Sequence, residues 1–287
     1  MELTILTAIL ISGLATGAIY ALAAEGLNLI WGVMRVVNLA HGELMMIGVF
    51  ISFALWSVWG INPLLAAIPA AVALFFVGLG LEKLFIRRVI GSPELISLLL
   101  TFGISIFITN IGVLTLGAEF KTIRFLDRPV SILGTSLPLN QLVMAAAAIV
   151  LSLGMYVVLQ RTRTGTAIRA VAIDRDMAQQ VGINTKKIFG RTFALGAALA
   201  GVAGALVTPL VAFNPLIGQT YILTAFAVVV LGGMGNFLGA LIAGLLIGVV
   251  EAGVAYTVSV QLSSGVVFLV IILTLLFRPT GILGARE

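Results

Sequence analysis

The stretch "LTILTAILISGLATGAIYALAAEGLNLIWGV" (3–33) contains one carboxylate, Glu25, and no basic side chain. About 20 apolar residues in helical form cross the hydrocarbon of a bilayer, so this run is long enough to span with residues to spare. It exceeds the apolar core of a signal peptide and has no basic flank before it, so it is expected to remain as a mature span. The rest of the 287-residue chain reads the same way: hydrophobic residues make up 61%, charged residues 9%, and mean hydropathy is +1.21. A water-soluble fold of this length would need far more charge to cover its outside. The expected fold is therefore an all-α polytopic membrane protein, a single domain over 1–287, with about eight or nine membrane helices.

Candidate spans fall near 4–31, 38–59, 62–84, 96–116, 139–160, 189–212, 219–236, 238–258 and 262–277. The breaks between them carry turn chemistry: Gly32 to Arg35, "GINP" (60–63), "GSPE" (91–94), "FNPLIG" (213–218) and "GGMGNFLG" (232–239). The second and seventh spans could be re-entrant or half-helices. Charge placement orients the chain. Residues 161–191 hold Arg161, Arg163, Arg169, Arg175, Lys186, Lys187 and Arg191 against Asp174 and Asp176, which equals the +5 formal charge of the whole chain. Basic loops stay on the cytoplasmic side. Lys83, Arg87 and Arg88 lie two spans away, on the same side. The loop 117–138 is then external.

Several function classes drop out. Without cysteine there is no disulfide, thiolate site or cysteine nucleophile, and one histidine cannot build a multi-histidine metal site. No metal, cofactor or nucleic-acid site is expected in this chain. "VLGGMGNFLG" (230–239) lacks the Lys-Ser/Thr of a phosphate-binding loop and reads as a glycine hinge. An ATP-driven process would need its ATPase on another polypeptide.

The loop "RTRTGTAIRAVAIDRDMAQQVGINTKK" (161–187) is the one substantial cytoplasmic element. From Thr166 to Val181 it has no Gly or Pro, which predicts one short helix. Gly182 is its expected stop, and Asn184 is positioned to cap the helix that re-enters the membrane. Ile168, Val171, Ala172 and Ala178 form an apolar strip suited to a partner's groove. The alternative is an anchor for anionic lipid.

Polar groups inside apolar runs are the remaining signal. In "VVNLAHGELMM" (36–46), Asn38 could cap a helix restarting after the break, Glu43 could meet the dipole of its first turns, and Arg35 could neutralise Glu43. The same junction could form a gate or pathway wall, as broken helices do in transporters. His41 and Glu43 point apart on a helix and make a poor catalytic dyad. Glu25, Asn28, Asn110 and Glu251 also lie in apolar runs. An intramembrane carboxylate is costly unless paired or facing water, so Glu25 and Glu251 line a pathway or subunit interface, or form internal ties.

"GLNLIWGVMRVVNLAHGELMMIG" (26–48), the 161–184 stretch, "FALGAALAGVAGAL" (193–206), "AVVVLGGMGNFLGALIAGLLIGVVEA" (227–252) and "RPTGILG" (278–284) occur in an order that resembles the LivH-type permeases of bacterial branched-chain amino-acid ABC importers. Glu25 and Asn28 depart from many relatives, which carry apolar or hydroxyl residues there. The resemblance implies a multi-pass inner-membrane permease of the large-substrate importer type, carrying leucine, isoleucine and valine, or urea or amides in neighbouring branches. It further implies a second related permease in a heterodimer, two ATP-binding subunits using ATP and Mg, and a periplasmic or lipid-anchored solute-binding protein. ATPase coupling is assigned by this resemblance to Arg163, Gly165, Arg169, Ala170, Asp174, Ala178 and Gly182. Path or gate candidates are Glu25, Asn28, Asn38, His41, Glu43, Asn110, Gly232, Gly233 and Glu251. A self-sufficient secondary carrier is the competing class, and would have less use for such a docking loop.

Overall fold

The structure is a computed structural model that describes residues 2–132, 134–278 and 280–284, with the side chains of 2–4 and 264 left aside. Pro279 of the closing "RPTGILG" stretch lies outside the described residues. Among the described residues nine apolar helices dominate: α1 (Glu2–Met34), α2 (His41–Trp59), α3 (Pro63–Leu84), α4 (Glu94–Leu116), α5 (Leu139–Arg161), α8 (Thr185–Val207), α9 (Ile217–Gly232), α10 (Phe237–Thr257) and α11 (Val260–Phe277). Two short helices, α6 (Arg163–Ile173) and α7 (Arg175–Gln180), interrupt the series. Eight of the apolar helices are long enough to cross a membrane, and the ninth, α9, has 16 residues. The protein is an all-α polytopic membrane fold. One addition to that reading is an antiparallel ribbon in the 117–138 loop, β1 (Pro129–Ile132) with β2 (Thr135–Pro138).

Local chemistry sets several helix ends. Asn62 caps α3 by accepting from Leu65 N, with Pro63 at the first helical position where no N–H is needed. Asn184 caps α8 by accepting from Lys187 N, as expected from the sequence. Asn236 does the same for α10 through Gly239 N.

α8 sits at the centre, with 83% of its span buried, and α1, α2 and α3 pack around it. Lipid offers no hydrophobic drive for helices to associate, so close van der Waals packing must hold them. Small residues provide it. A Cβ added at Gly204 of α8 would lie 2.1 Å from Met45 O of α2, and one at Gly48 of α2 would lie 2.3 Å from Gly201 O. The α1–α10 contact is built alike, from Gly13 and Gly17 against Gly244 and Gly248. Outward-facing residues such as Phe76, Phe107 and Leu276 are large, apolar and exposed, as a lipid-facing surface requires.

The two faces of the bundle separate cleanly. Thr7 of α1 meets Thr135 of the ribbon at 3.1 Å, while Gly32 to Arg35 share a cavity with Gly91 to Glu94 and Val171 to Ile173 beside the basic loops. The N-terminal end of α1 therefore lies on the ribbon face, and the 161–187 loop on the opposite, basic face. On that basic face Glu82, buried at the end of α3, takes both Nε and Nη2 of Arg87 at 2.9 and 2.6 Å. Removing the cation strands a buried carboxylate, whereas Glu82→Gln keeps a neutral partner. Arg87 is partly exposed, which softens the loss. Arg87→Ala is expected to cost about 2 kcal/mol, and more than Glu82→Gln, in the thermal melt of the purified chain.

Candidate functional site

The break between α1 and α2 runs from the basic face, where Arg35 shares a cavity with Gly91 to Glu94, into the bundle. Thr101 marks the depth: it is seven residues into α4, about 10 Å along the axis. Its hydroxyl accepts from Leu39 N at 3.1 Å and lies 2.9 Å from Val37 O and Ser97 O. Backbone freed by the break is thus satisfied by a side chain from another helix, which hydrocarbon demands. Arg35 takes a left-handed backbone (φ 50°) at the turn.

The first turn of α2 then sends three consecutive residues in three directions. His41 Nε2 donates to Ala23 O of α1 at 2.9 Å. Gly42 meets Gly218 of α9 so closely that a Cβ there would sit 2.2 Å from Gly218 O. Glu43 accepts from Thr109 of α4 at 3.3 Å. Two expectations need correcting here. Ala40, not Asn38, holds the cap position of α2; the Asn38 side chain is fully buried with neither amide atom bonded among the described residues. Glu43 is met by Thr109 and not by Arg35, because α2 turns it toward α4, away from the break. His41 is a staple between helices, and its ring lies about one helix face away from Glu43.

α9 begins at this same level, so the starts of two short helices cross at Gly42 and Gly218 within the membrane. Helix starts carry unpaired N–H groups and the positive end of the dipole, so the junction is a polar point in an apolar bundle. The other intramembrane polar residues scatter. Glu25 is fully buried beside Ser152 of α5. Asn28 clasps the α9–α10 turn, donating to Asn236 O at 2.7 Å and accepting from Gly235 N at 2.6 Å. Gly232 and Gly233 lie in that turn, pressed against Gly239 and Gly284 respectively, and Ile282 N and Leu283 N close it from the other side by donating to Leu231 O and Gly232 O. Asn110 is exposed on α4 and bonds Ile106 O of its own helix. Glu251 lies beside Tyr20, toward the ribbon face.

The basic-face element differs from the single helix expected. It is two helices, with Asp174 in extended conformation between them (φ −148°, ψ 112°). The Asp174 carboxylate accepts from Asp176 N and Met177 N, both at 2.9 Å. A short acidic side chain that bonds the next turn competes with helix continuation and restarts the helix instead. Gly182 does end α7: its φ is +87°, Gly182 N donates to Gln179 O and Ile183 N to Ala178 O, a Schellman stop. Asp174→Ala is expected to cost about 1 kcal/mol of local stability. Hydrogen exchange at the 176 and 177 amides should then speed by roughly fivefold with the membrane helices unchanged.

Burial also reverses the face that was expected to dock. Ile168, Val171 and Ala178 are buried within the chain, and Gly165 packs on Leu159 O at the end of α5, where Arg169 also donates. These residues clamp the element to its own bundle. The side chains left outward are Ile173, Met177 and Val181, exposed by 86%, 57% and 74%, with Asp174, Arg175 and Asp176 between the first two. Ile173 at the end of α6, Met177 on α7 and Val181 at its C-terminal cap form an exposed apolar ladder across the Asp174 break, on the face that carries the chain's net charge, and none of the three belongs to the strip read from sequence periodicity. Their exposure was the missing signal, and only the fold supplies it.

Comparison with known proteins places this arrangement. The family described as branched-chain amino acid transport system / permease component matches residues 9–275. The chain belongs to this permease family. It is 36% identical to the high-affinity branched-chain amino acid transport system permease protein BraD of Pseudomonas aeruginosa, covering 97% of this chain and 95% of that protein. Identity is again 36% to the Escherichia coli K12 permease protein LivH, over 96% and 94%. A probable LivH of Methanocaldococcus jannaschii is 29% identical over 92% and 88%. No solved structure matches. For this permease, the broken helix and the basic-face ladder are parts of one membrane component of a transport system.

Proposed function

We propose that this permease carries branched-chain amino acids (leucine, isoleucine and valine) inward across the bacterial inner membrane as the membrane subunit of an ATP-driven importer. Its partners are a second related permease, two ATP-binding subunits that use ATP and Mg, and a periplasmic or lipid-anchored solute-binding protein. The observation that carries the coupling is the Ile173, Met177 and Val181 ladder. The basic face is the cytoplasmic one by its charge, and water there would leave three large apolar side chains uncovered. A lipid anchor would use the basic residues but gives no reason for two capped helices that hold the ladder outward. A groove on an ATP-binding subunit does.

The route from that docking point into the membrane is short. α6 is locked to the end of α5 through Gly165 and Arg169. Between α6 and the end of α1 lies a cavity of about 380 Å³, lined by Gly32 to Arg35, Gly91 to Glu94 and Val171 to Ile173. A push on the ladder closes or opens this space as a rigid-body shift and so bears on the α1–α2 break. Chemistry on the solute is not required. The test is uptake by the assembled importer in vesicles. Labelled leucine should accumulate only with hydrolysable ATP, and unlabelled isoleucine and valine should compete while urea and acetamide do not. Competition by urea or amides alone would move the solute to those classes, and uptake without ATP would make the chain a secondary carrier.

A further inference from the structure

α4 is fastened to its own chain by hydroxyls. Its buried positions are Ser97, Thr101, Thr109 and Gly112, none with a large apolar side chain. Leu100, Ile104 and Ile108 are only partly buried beside them, and α2 is the main neighbour. Large side chains locked ridge into groove resist displacement, whereas a hydrogen bond between helices in lipid is a weak and reversible tie. Two such ties hold α4 to the start of α2. Thr109 donates to Glu43 at 3.3 Å. Thr101 covers the break itself, accepting from Leu39 N at 3.1 Å and reaching Val37 O at 2.9 Å.

The Thr101 hydroxyl has one proton, and Ser97 O of its own helix lies at the same 2.9 Å as Val37 O. When α4 moves off, the proton passes to Ser97 O and the hydroxyl keeps an acceptor. The groups left bare are Val37 O and Leu39 N. Between them sits Asn38, fully buried with neither amide atom bonded among the described residues. A buried amide without a partner is unfavourable and rare in a native fold. Polar groups on three successive residues thus meet at a point where water would satisfy them all, and this structure holds that point shut. Room for movement lies alongside, in the cavity of about 380 Å³ bounded by Gly32 to Arg35 before the break and Gly91 to Glu94 at the start of α4. We propose that Thr101 is a positioning residue for transport: its hydroxyl latches α4 over the α1–α2 break, and its release opens the break at Asn38 to water. The link to ATP rests on the importer function proposed above; the latch does not.

The chain has no cysteine, so Asn38→Cys introduces one thiol, and it removes no hydrogen bond because the amide makes none. In the assembled importer in lipid nanodiscs, a water-soluble maleimide should label this thiol slowly at rest. Labelling should be about tenfold faster during turnover with ATP and leucine, the weight of one or two buried hydrogen bonds given up. Thr101→Val keeps the shape without the hydroxyl and should raise resting labelling by the same factor. Thr101→Ser keeps the hydroxyl and should label as the parent does. In vesicles, Thr101→Val should lower leucine taken up per ATP hydrolysed about tenfold while hydrolysis continues, and Thr101→Ser should restore it. A role in stability alone would lower melting, hydrolysis and uptake together and leave resting labelling slow, which overturns the latch. Equal resting labelling of the Val and Ser variants overturns it too. The parent decides independently of these variants: a thiol as slow with ATP and leucine as at rest overturns the opening in transport. Uptake that needs no ATP would remove the importer reading, while the resting comparison of Val with Ser would still judge the latch.

Discussion

Met177→Glu is expected to abolish ATP-driven uptake and release the ATP-binding subunits while the permease itself stays folded. Met177 touches little of its own chain, being 57% exposed on α7, so its loss removes almost no internal packing. Across an interface the balance is different. Burying a side chain of this class is worth about 1.5–3 kcal/mol, and Ile173 and Val181 on the same ladder depend on the same groove. An uncompensated carboxylate in that groove adds a desolvation cost of several kcal/mol. At 1.4 kcal/mol per tenfold, the association should weaken by at least about a hundredfold. The measurement is uptake, together with the subunits that elute with the chain and its thermal melt. Unchanged melting with uptake lost is the expected pattern. Normal uptake by Met177→Glu would remove the ladder from the coupling.

Gly248→Leu is expected to prevent assembly of the bundle, a larger loss of stability than any other single change considered. The α1–α10 pair approaches through backbone. A Cβ at Gly248 would lie 2.3 Å from Gly13 O and 2.5 Å from Gly17 N and Cα. Main chain cannot turn aside as a side chain can, so the helices must separate and give up the packing that holds them in lipid. Overpacking of a core costs about 1–3 kcal/mol when side chains can adjust, and here they cannot, so a loss above about 3 kcal/mol is expected. Gly253→Leu on the same helix is the control, since the nearest atom to its added Cβ is Ile9 Cγ2 at 3.9 Å. Purified in mild detergent, Gly253→Leu should elute and melt as the parent does, and Gly248→Leu should aggregate. Similar behaviour of the two would contradict the glycine-packed contact.

Much of this fold could be read from the chain because a membrane imposes few solutions. Run length and polarity give the spans, and the seven basic residues of 161–191 mark one of the two faces. Caps such as Asn184 and the stop at Gly182 are local chemistry and came through unchanged. What failed depends on tertiary direction. The apolar periodicity of Ile168, Val171 and Ala178 is real, but periodicity does not say whether a stripe faces its own bundle or a partner, and here it faces the bundle. The 166–181 helix breaks at Asp174 because a side-chain cap outcompetes a propensity that favours helix throughout. Asn38 was given the cap by its residue type, whereas the turn is held by Thr101, sixty-odd positions away and undistinguished among the hydroxyls of α4. The depth of the α1–α2 break and the meeting of Gly42 with Gly218 are likewise pairings of distant segments, and nothing local announces them.

Gentle purification of the tagged permease from its native membrane, followed by native mass spectrometry, weighs the assembly as a whole. Two ATP-binding chains and a second, related permease should leave the membrane with it, and the ATP-binding chains should be absent from the Met177→Glu sample. A permease that emerges alone from both samples, and that still moves leucine into vesicles without ATP, would show that it works as a carrier by itself.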